Sequence, residues 1–454
     1  MGVRQLNADV VRATPDAATW ELNRLSRRCL GPVLWCALWL SVPANGIAIT
    51  GQTALIELTS GFELQLQRFP AHGRDLLIWV PSEYGIRDGN IPFAETVQRQ
   101  GIDYWLVDLH ESYMAPTGRH AYADFEPAHV KELIDHAVGQ GWQRIFLGGE
   151  SRGAALAMQA ARLWQIENPG NTALIGMLFY HPNLIDGYTA IGELARFRPI
   201  ARETNLPVYI FQPQFNTKYL HSRELSEQLQ MGGSPVYLHF LQGVRGGFHV
   251  RDSDRLNARE TEERGRLGER IGRAMHLLAQ SPAPPRAAEP AGETAPVPDD
   301  GGDSGGGGNL AAVAHAVPAT LRLRDDDDRI VDIQDLDGEV VLVNFWATWC
   351  GPCVKEIASL MRLVEHFEGE PFRVLAVNIS EDKAHVAGFF DTLDIEPNFQ
   401  VVYDHDGSAA KRWRVYAVPS TYLLDRQGRV RYGYRGALQW DKESVIETVN
   451  GLLE

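Results

Sequence analysis

Between residues 61 and 280, short apolar runs alternate with segments of helical spacing. GFELQLQRF, starting at Gly61, alternates apolar and polar positions and predicts a half-exposed strand. DLLIWV (Asp75–Val80), YWLVDL (Tyr104–Leu109), RIFLGG (Arg144–Gly149), ALIGMLFY (Ala173–Tyr180), PVYIF (Pro207–Phe211) and PVYLHFL (Pro235–Leu241) are almost continuously apolar. Runs buried on both faces predict parallel strands. Between them, EPAHVKELIDHAVGQG and RGAALAMQAARLW carry the spacing of amphipathic helices. Strands alternating with helices predict a doubly wound α/β sheet.

The pattern restarts in the last third of the chain. EVVLVNFW predicts a strand, Pro352 opens a helix, and FRVLAVNIS, KAHVAGFFDTL and FQVVYD predict strand, helix and strand. A short helix around Ala409 to Trp413, strands STYLLD and VRYGYR, and a last helix from Asp441 follow. Between the two patterned regions, from Ser281 to Pro318, Pro and Ala give way to Gly and Asp, and large apolar residues nearly vanish. Such a stretch cannot bury enough surface to offset the entropy of ordering, so it reads as a linker. The expected division is therefore 1–44, 45–280, 281–318 and 319–454.

Residues 1–44 carry a different signal. CLGPVLWCALWLSV follows Arg24, Arg27 and Arg28, has the length of a signal-peptide core and is short for a membrane span. Val42 and Ala44 supply the small residues of a cleavage site, so the segment is either cleaved or kept as an anchor. The expected location is periplasmic or otherwise exported. A net charge of −15 argues against a general nucleic-acid surface. The acidic run Asp325 to Asp328 lacks the Gly and Glu of a calcium loop and reads as a solvated start to a domain.

Cleavage after Ala44 would remove Cys29 and Cys36 and leave Cys350 and Cys353, in WCGPC. An exported chain with one close pair is not using disulfides as scaffold. Zinc needs two further ligands, and so short a loop adds little stability as an inert bridge. Cys350 follows a buried strand, and Pro352 suits a first helical turn, so Cys350 is placed at a helix N-terminus. Unpaired N–H groups and the helix dipole there favour thiolate, the attacking form. Cys353, one turn on, is placed to resolve the mixed disulfide, with Trp349 covering one side. No metal and no cofactor beyond the redox-active disulfide are expected.

DLDGEVVLVNFWATWCGPCVKEIASL resembles the exported thioredoxin-like proteins of the TlpA/ResA type, over roughly Leu321 to Leu453. The resemblance implies a thioredoxin fold with Cys350 as nucleophile and Cys353 as resolving thiol. AVPSTYLLD matches the family's cis-proline loop, which places Pro419, preceded by Val418, against the cysteine pair. Glu356 matches an acidic residue that follows the motif; the plain alternative is a solvated helix carboxylate. The segment Glu381 to Tyr403 corresponds to the family's extra helix and strand. The Gly-Pro between the cysteines is that of thioredoxin, a reductant near about −270 mV. The implied partners are client-protein disulfides, such as those of apocytochromes or copper-site proteins, and a membrane electron donor.

Gly149-Glu150-Ser151-Arg152-Gly153 fits G-x-S-x-G, with a strand before it and a small-residue helix after it. His249 follows the last apolar strand, where the histidine of an α/β hydrolase lies. The region from about Ile56 to Gln280 resembles that superfamily in fold more than in sequence. Asn216 stands where the acid is expected, and Asp186, in HPNLIDGY, is a substitute. Oxyanion donors are expected from Arg152 and the loop Pro81 to Tyr84. The function expected is thus an exported thiol–disulfide oxidoreductase fused to an α/β-hydrolase-like domain. Two alternatives stay open: a serine esterase with an accessory redox domain, and a non-catalytic adaptor that presents the redox domain.

Overall fold

The computed structural model describes residues 51–186, 191–282, 284, 287–290, 309–313 and 320–454, with the two-residue strand Arg4–Gln5; of Asp186 it describes the backbone alone. The apolar segment before Ala44 and most of the 281–318 stretch lie outside the described residues. Among the described residues, no helix is long and apolar enough to cross a membrane.

The first half is built on β1 (Gln52–Glu57), β2 (Glu63–Phe69), β3 (Asp75–Val80), β4 (Ile102–Asp108), β5 (Ile145–Glu150), β6 (Leu174–Tyr180), β7 (Val208–Phe215) and β8 (Val236–Arg245). They form one sheet in the order β1-β2-β4-β3-β5-β6-β7-β8, with Arg4–Gln5 added outside β8. β1 and β2 are antiparallel, as are β2 and β4; every remaining neighbour pair is parallel. The helices that bear on the site are α1 (Asn90–Gln98), α2 (Pro127–Gly139), α3 (Arg152–Glu167), α4 (Ser222–Met231) and α5 (Ala258–Leu278).

The continuous apolar runs follow from burial on both faces. Leu76, Ile78 and Val80 of β3 pack into one core with Leu133 of α2 and Ala157 and Trp164 of α3. Leu77 and Trp79 point the other way, to Phe93 of α1 and Leu267 and Ile271 of α5. Side chains alternate along a strand, so both sets must be apolar. The apolar pattern does not predict β1: its burial alternates weakly, with Leu55 exposed, as suits a strand at the sheet's edge.

The second half adds β9 (Arg322–Asp325), β10 (Ile330–Asp332), β11 (Val340–Trp346), β12 (Phe372–Ile379), β13 (Gln400–Asp404), β14 (Ser420–Leu424) and β15 (Val430–Arg435). Their order is β15-β14-β11-β12-β13-β9-β10, extended beyond β15 by Ala311–Ala312. The helices α6 (Gly351–His366), α7 (Lys383–Leu393), α8 (Ser408–Arg412) and α9 (Glu443–Leu453) complete it. Central β11 is buried along its whole length, parallel to β12 and antiparallel to β14. Ile357 and Leu360 of α6, Phe390 of α7 and Val449 of α9 join β11 in one core. This is a thioredoxin-like arrangement.

The acidic run corrects one expectation. Asp325 is buried, not solvated: its Oδ1 accepts the Asp327 and Arg329 backbone N–H groups at 3.0 Å, and its Oδ2 accepts Gln400 Nε2 at 3.2 Å. It closes the β9–β10 hairpin, a pair too short and too charged to stand out in the apolar pattern. Asp326 to Asp328 are exposed.

The two halves touch along the end of β7, the segment after it, and Ile191–Gly192. Gln214 Nε2 donates to the Ser380 carbonyl at 3.3 Å, and the Phe215 ring stacks on His385. Buried His221 binds the Val415 carbonyl through Nε2 at 3.0 Å, and its ring lies 4.3 Å from that of Tyr416. Lys411 pairs with Glu224 at 2.7 Å, and Arg414 Nη1 donates to the Gly192 carbonyl at 2.6 Å.

Candidate active site

The parallel strand β11 ends at Trp346, and four residues later Cys350 caps α6. Its Sγ accepts the Cys353 N–H at 3.2 Å, and the two cysteines form a disulfide. Pro352 lies in the first turn, where its missing N–H costs nothing. Sulfur at Cys350 therefore sits on the positive end of a sixteen-residue helix. Cys350 is 5% and Cys353 1% exposed, so both are buried and the first residue is the more exposed. Trp349 is half-buried beside them.

Two elements adjoin the loop that leads to the pair. The Val418–Pro419 bond is cis, and the Pro419 carbonyl accepts the Gly436 N–H at 2.9 Å. Because Ser420 pairs with Phe345, Pro419 lies opposite the start of the loop that leads to Cys350. That loop is held from beneath by Glu381, whose carboxylate accepts the Thr348 backbone N–H at 2.9 Å, the Thr348 hydroxyl, and Asn378 Nδ2 at 2.8 Å. The sequence marks Glu381 only as the start of an extra segment. Nothing in its local sequence announces a buried anchor.

Glu356 lies one turn beyond Cys353 and is 2% exposed. Its Oε1 accepts Asn344 Nδ2 at 2.8 Å; its Oε2 accepts the Leu438 N–H at 3.1 Å and the Trp440 indole N–H at 3.0 Å. Burial pushes the carboxyl up to about 7, against these three donors, which pull it down. The three donors are not legible in the motif, because they come from β11 and from the loop before α9.

The serine elbow has the backbone of a strained turn. Ser151 has φ 50° and ψ −119°, between β5 and α3. A Cβ at Gly153 would run into the Pro81 carbonyl, so only glycine lets α3 approach β3 this closely. The Ser151 hydroxyl donates to Glu83 Oε1 at 3.3 Å, and the Arg152 N–H donates to Glu83 Oε2 at 3.5 Å. The loop expected to supply an oxyanion donor instead lays a carboxylate across the elbow.

His249 does not hydrogen-bond Ser151. Its ring is fully buried, stacked 4.3 Å from that of Tyr180 and edged by Phe93 and Trp79. Its Nε2 lies 2.5 Å from Glu150 Oε2, close enough for an ion pair but off the direction of a hydrogen bond. Arg87 holds the other oxygen of Glu150 at 3.1 Å. Burial would raise the Glu150 carboxyl, but His249, Arg87 and His181 outweigh it and keep it well below its ordinary range. Asn216 is occupied elsewhere: its Oδ1 accepts the Lys218 N–H at 2.8 Å and caps the turn Thr217–His221, while its amide nitrogen packs against Gly246. The Asp186 backbone pairs with Arg196 in a separate two-stranded ribbon. Sequence reasoning brings the Pro81–Tyr84 loop to the elbow but not the Glu83 carboxylate, and it misses Arg87 and His181. The one available signal is position, since each follows the carboxyl end of a parallel strand.

The Redoxin family model matches residues 312–449. Thiol-disulfide oxidoreductase ResA of Bacillus subtilis (strain 168) is 34% identical over 132 residues, covering 29% of this chain and 71% of that protein. Thiol:disulfide interchange protein DsbE of Yersinia pestis is 34% identical over 110 residues, 24% of this chain and 56% of that protein. The crystal structure of StoA from Bacillus subtilis covers 31% of this chain and 100% of its own, at 21% identity and a TM-score of 0.26. With a CGPC disulfide capping a helix, a cis-proline loop beside it and a relative of this identity matched over most of its length, the chain belongs to the ResA-like thiol-disulfide oxidoreductases of the Redoxin family.

Proposed function

We propose that the protein is an exported reductase of client-protein disulfides, and that its first half is an α/β-hydrolase-like adaptor that presents the redox domain. The observation that carries the redox step is the cysteine pair on the helix terminus, with buried Glu356 one turn below. In the reduced protein the Cys350 thiolate attacks one sulfur of a client disulfide, and the other client sulfur leaves as thiolate. Cys353 then gives its proton to Glu356 and attacks Cys350 Sγ. The Cys350–client bond breaks, the second client sulfur leaves, and the protein ends as the disulfide. Two electrons pass to the client, whose departing thiolates take up two protons. Pro419 and Trp349 line the approach. A membrane electron donor would restore the dithiol, and apocytochromes or copper-site proteins are the client class proposed. Cys353→Ser should trap clients on Cys350 as mixed disulfides, releasable by reductant. Absence of any trapped protein from the exported fraction, with the variant folded and reduced, would refute the reductase reading.

For the first half, the strand order β1-β2-β4-β3-β5-β6-β7-β8 and the positive φ at Ser151 support the hydrolase-like reading of the fold. The carboxylate of Glu83 across the elbow, and the lack of a Ser151–His249 hydrogen bond, favour an adaptor over a serine esterase. A negative charge beside Ser151 Oγ opposes an oxyanion at the same place. The contacts from Gln214 to Glu224 onto Ser380, Lys411 and Val415 hold the adaptor on the redox domain.

A further inference from the structure

Three ionisable side chains that the redox chemistry does not use converge at the carboxyl end of the first sheet. Glu150 is the last residue of β5, His181 follows β6 directly, and His249 lies in the turn Phe248–Val250 after β8. They are 1%, 9% and 0% exposed, and one ligating atom from each lies within 4.8 Å of the others. Glu150 Oε2, His181 Nε2 and both ring nitrogens of His249 have no hydrogen-bond partner among the described residues. Buried polar atoms are nearly always satisfied, so four such atoms in one place call for a group that satisfies them together. The Glu150–His249 contact accounts for part of this and leaves His181 Nε2 and His249 Nδ1 unmatched.

We propose that Glu150, His181 and His249 form a binding site for a single divalent first-row transition ion of the zinc type. Two imidazoles and one carboxylate are the donor set such ions take, whereas calcium and magnesium need more oxygens than one carboxylate supplies. Arg87 fixes Oε1 of Glu150 from outside and leaves Oε2 on the histidine side. Its positive charge works against a dication, but the side chain is 37% exposed and water screens it. Metal bonds of about 2.0–2.2 Å put neighbouring donors roughly 3 Å apart, so an ion would spread the close Glu150–His249 pair and draw in His181. The rings of Tyr180, Phe93 and Trp79 wall the site and hold His249 in place. Such an ion would tie together the ends of three strands beneath Ser151. Local spacing does not announce it, because each ligand comes from a different strand end.

The test uses the untagged full chain with Cys350 and Cys353 oxidised and Cys29 and Cys36, where present, alkylated, so that no thiolate competes. After stripping with chelator and reloading with Zn²⁺, metal analysis should find one zinc per chain. Titration with Co²⁺ should give visible absorption that saturates at one equivalent. Glu150→Gln and His181→Ala should each weaken Co²⁺ binding by about tenfold or more. If a variant fails to fold, the wild-type chain decides: Zn²⁺, and not Mg²⁺, should raise its melting temperature. A wild-type chain that retains no zinc and shows no cobalt absorption, or a folded His181→Ala that binds as the wild type does, would overturn the proposal. The client-trapping result is independent of either outcome.

Discussion

Replacing Glu356 by Gln removes an ionisation that the fold opposes. The carboxyl titrates near 7 in the folded protein, against an ordinary 4.5. Below about 4.5 both folded and unfolded chains hold the proton. Between there and about 7 only the folded chain does, so stability falls as pH rises. Above that range the folded protein carries the whole cost, on the order of 3 kcal/mol for a difference of this size. The amide in the Glu356→Gln variant has no such dependence. Asn344 can turn its amide to offer oxygen to the new NH₂, while Leu438 and Trp440 still donate to the remaining oxygen. The variant should therefore match the wild type or fall slightly below it at about pH 4.5, and gain on it by up to about 3 kcal/mol at about pH 8.5. Amide exchange of Val340–Trp346, corrected for the intrinsic pH dependence, reads this stability within the full chain. Resolution of mixed disulfides should slow in the same variant by roughly ten- to a hundredfold if Glu356 takes the Cys353 proton. Parallel stability profiles for the two proteins, with unchanged exchange kinetics across pH, would refute the argument.

Alkylation of the reduced protein near neutral pH should modify Cys350 first, as expected from its helix-terminal sulfur; faster labelling of Cys353 would exchange their roles. A fluorophosphonate should leave Ser151 unmodified in the wild type and in Glu83→Gln, because removing the blocking charge does not bring His249 to the hydroxyl; labelling abolished by Ser151→Ala would restore the esterase reading. His221→Ala should weaken the contact between the halves by about 1–3 kcal/mol, seen as faster amide exchange across Val415–Ser420; unchanged exchange would mean that this hydrogen bond does not hold them.

The legibility of the chain divides along contact distance. The parallel strands are readable because each needs apolar residues on both faces, and CGPC because its chemistry lies within four positions. The elbow is readable from its glycines, one of which must admit the Pro81 carbonyl. What surrounds these motifs is not. Glu83 reaches Ser151 from another loop, and Trp440 reaches Glu356 from the far side of β15. Asn216 shows the limit of reasoning by position: it lies at the right strand end, but its amide is taken up by a local cap. Asp325 shows the converse, an acidic run whose first member is buried because three groups donate to it.

The glycines on the redox side of the contact limit how far the two halves can be exchanged as modules. Leu220 of the first half lies on the backbone of Gly407, which has φ 69°, and Ile191 lies over Gly433, where an added Cβ would come within 2.9 Å. A side chain at Gly407 would meet both an unfavourable conformation and a collision. A relative's redox domain grafted after residue 320 would bring its own thiol site with it. A side chain at Gly407 would oppose its seating on the first half, and one at Gly433 would require Ile191 to shift. Whether a natural or designed chimera can take up this partner thus depends on two missing methyl groups on its back as well as on its polar contacts, all far from the sulfur atoms that define its chemistry.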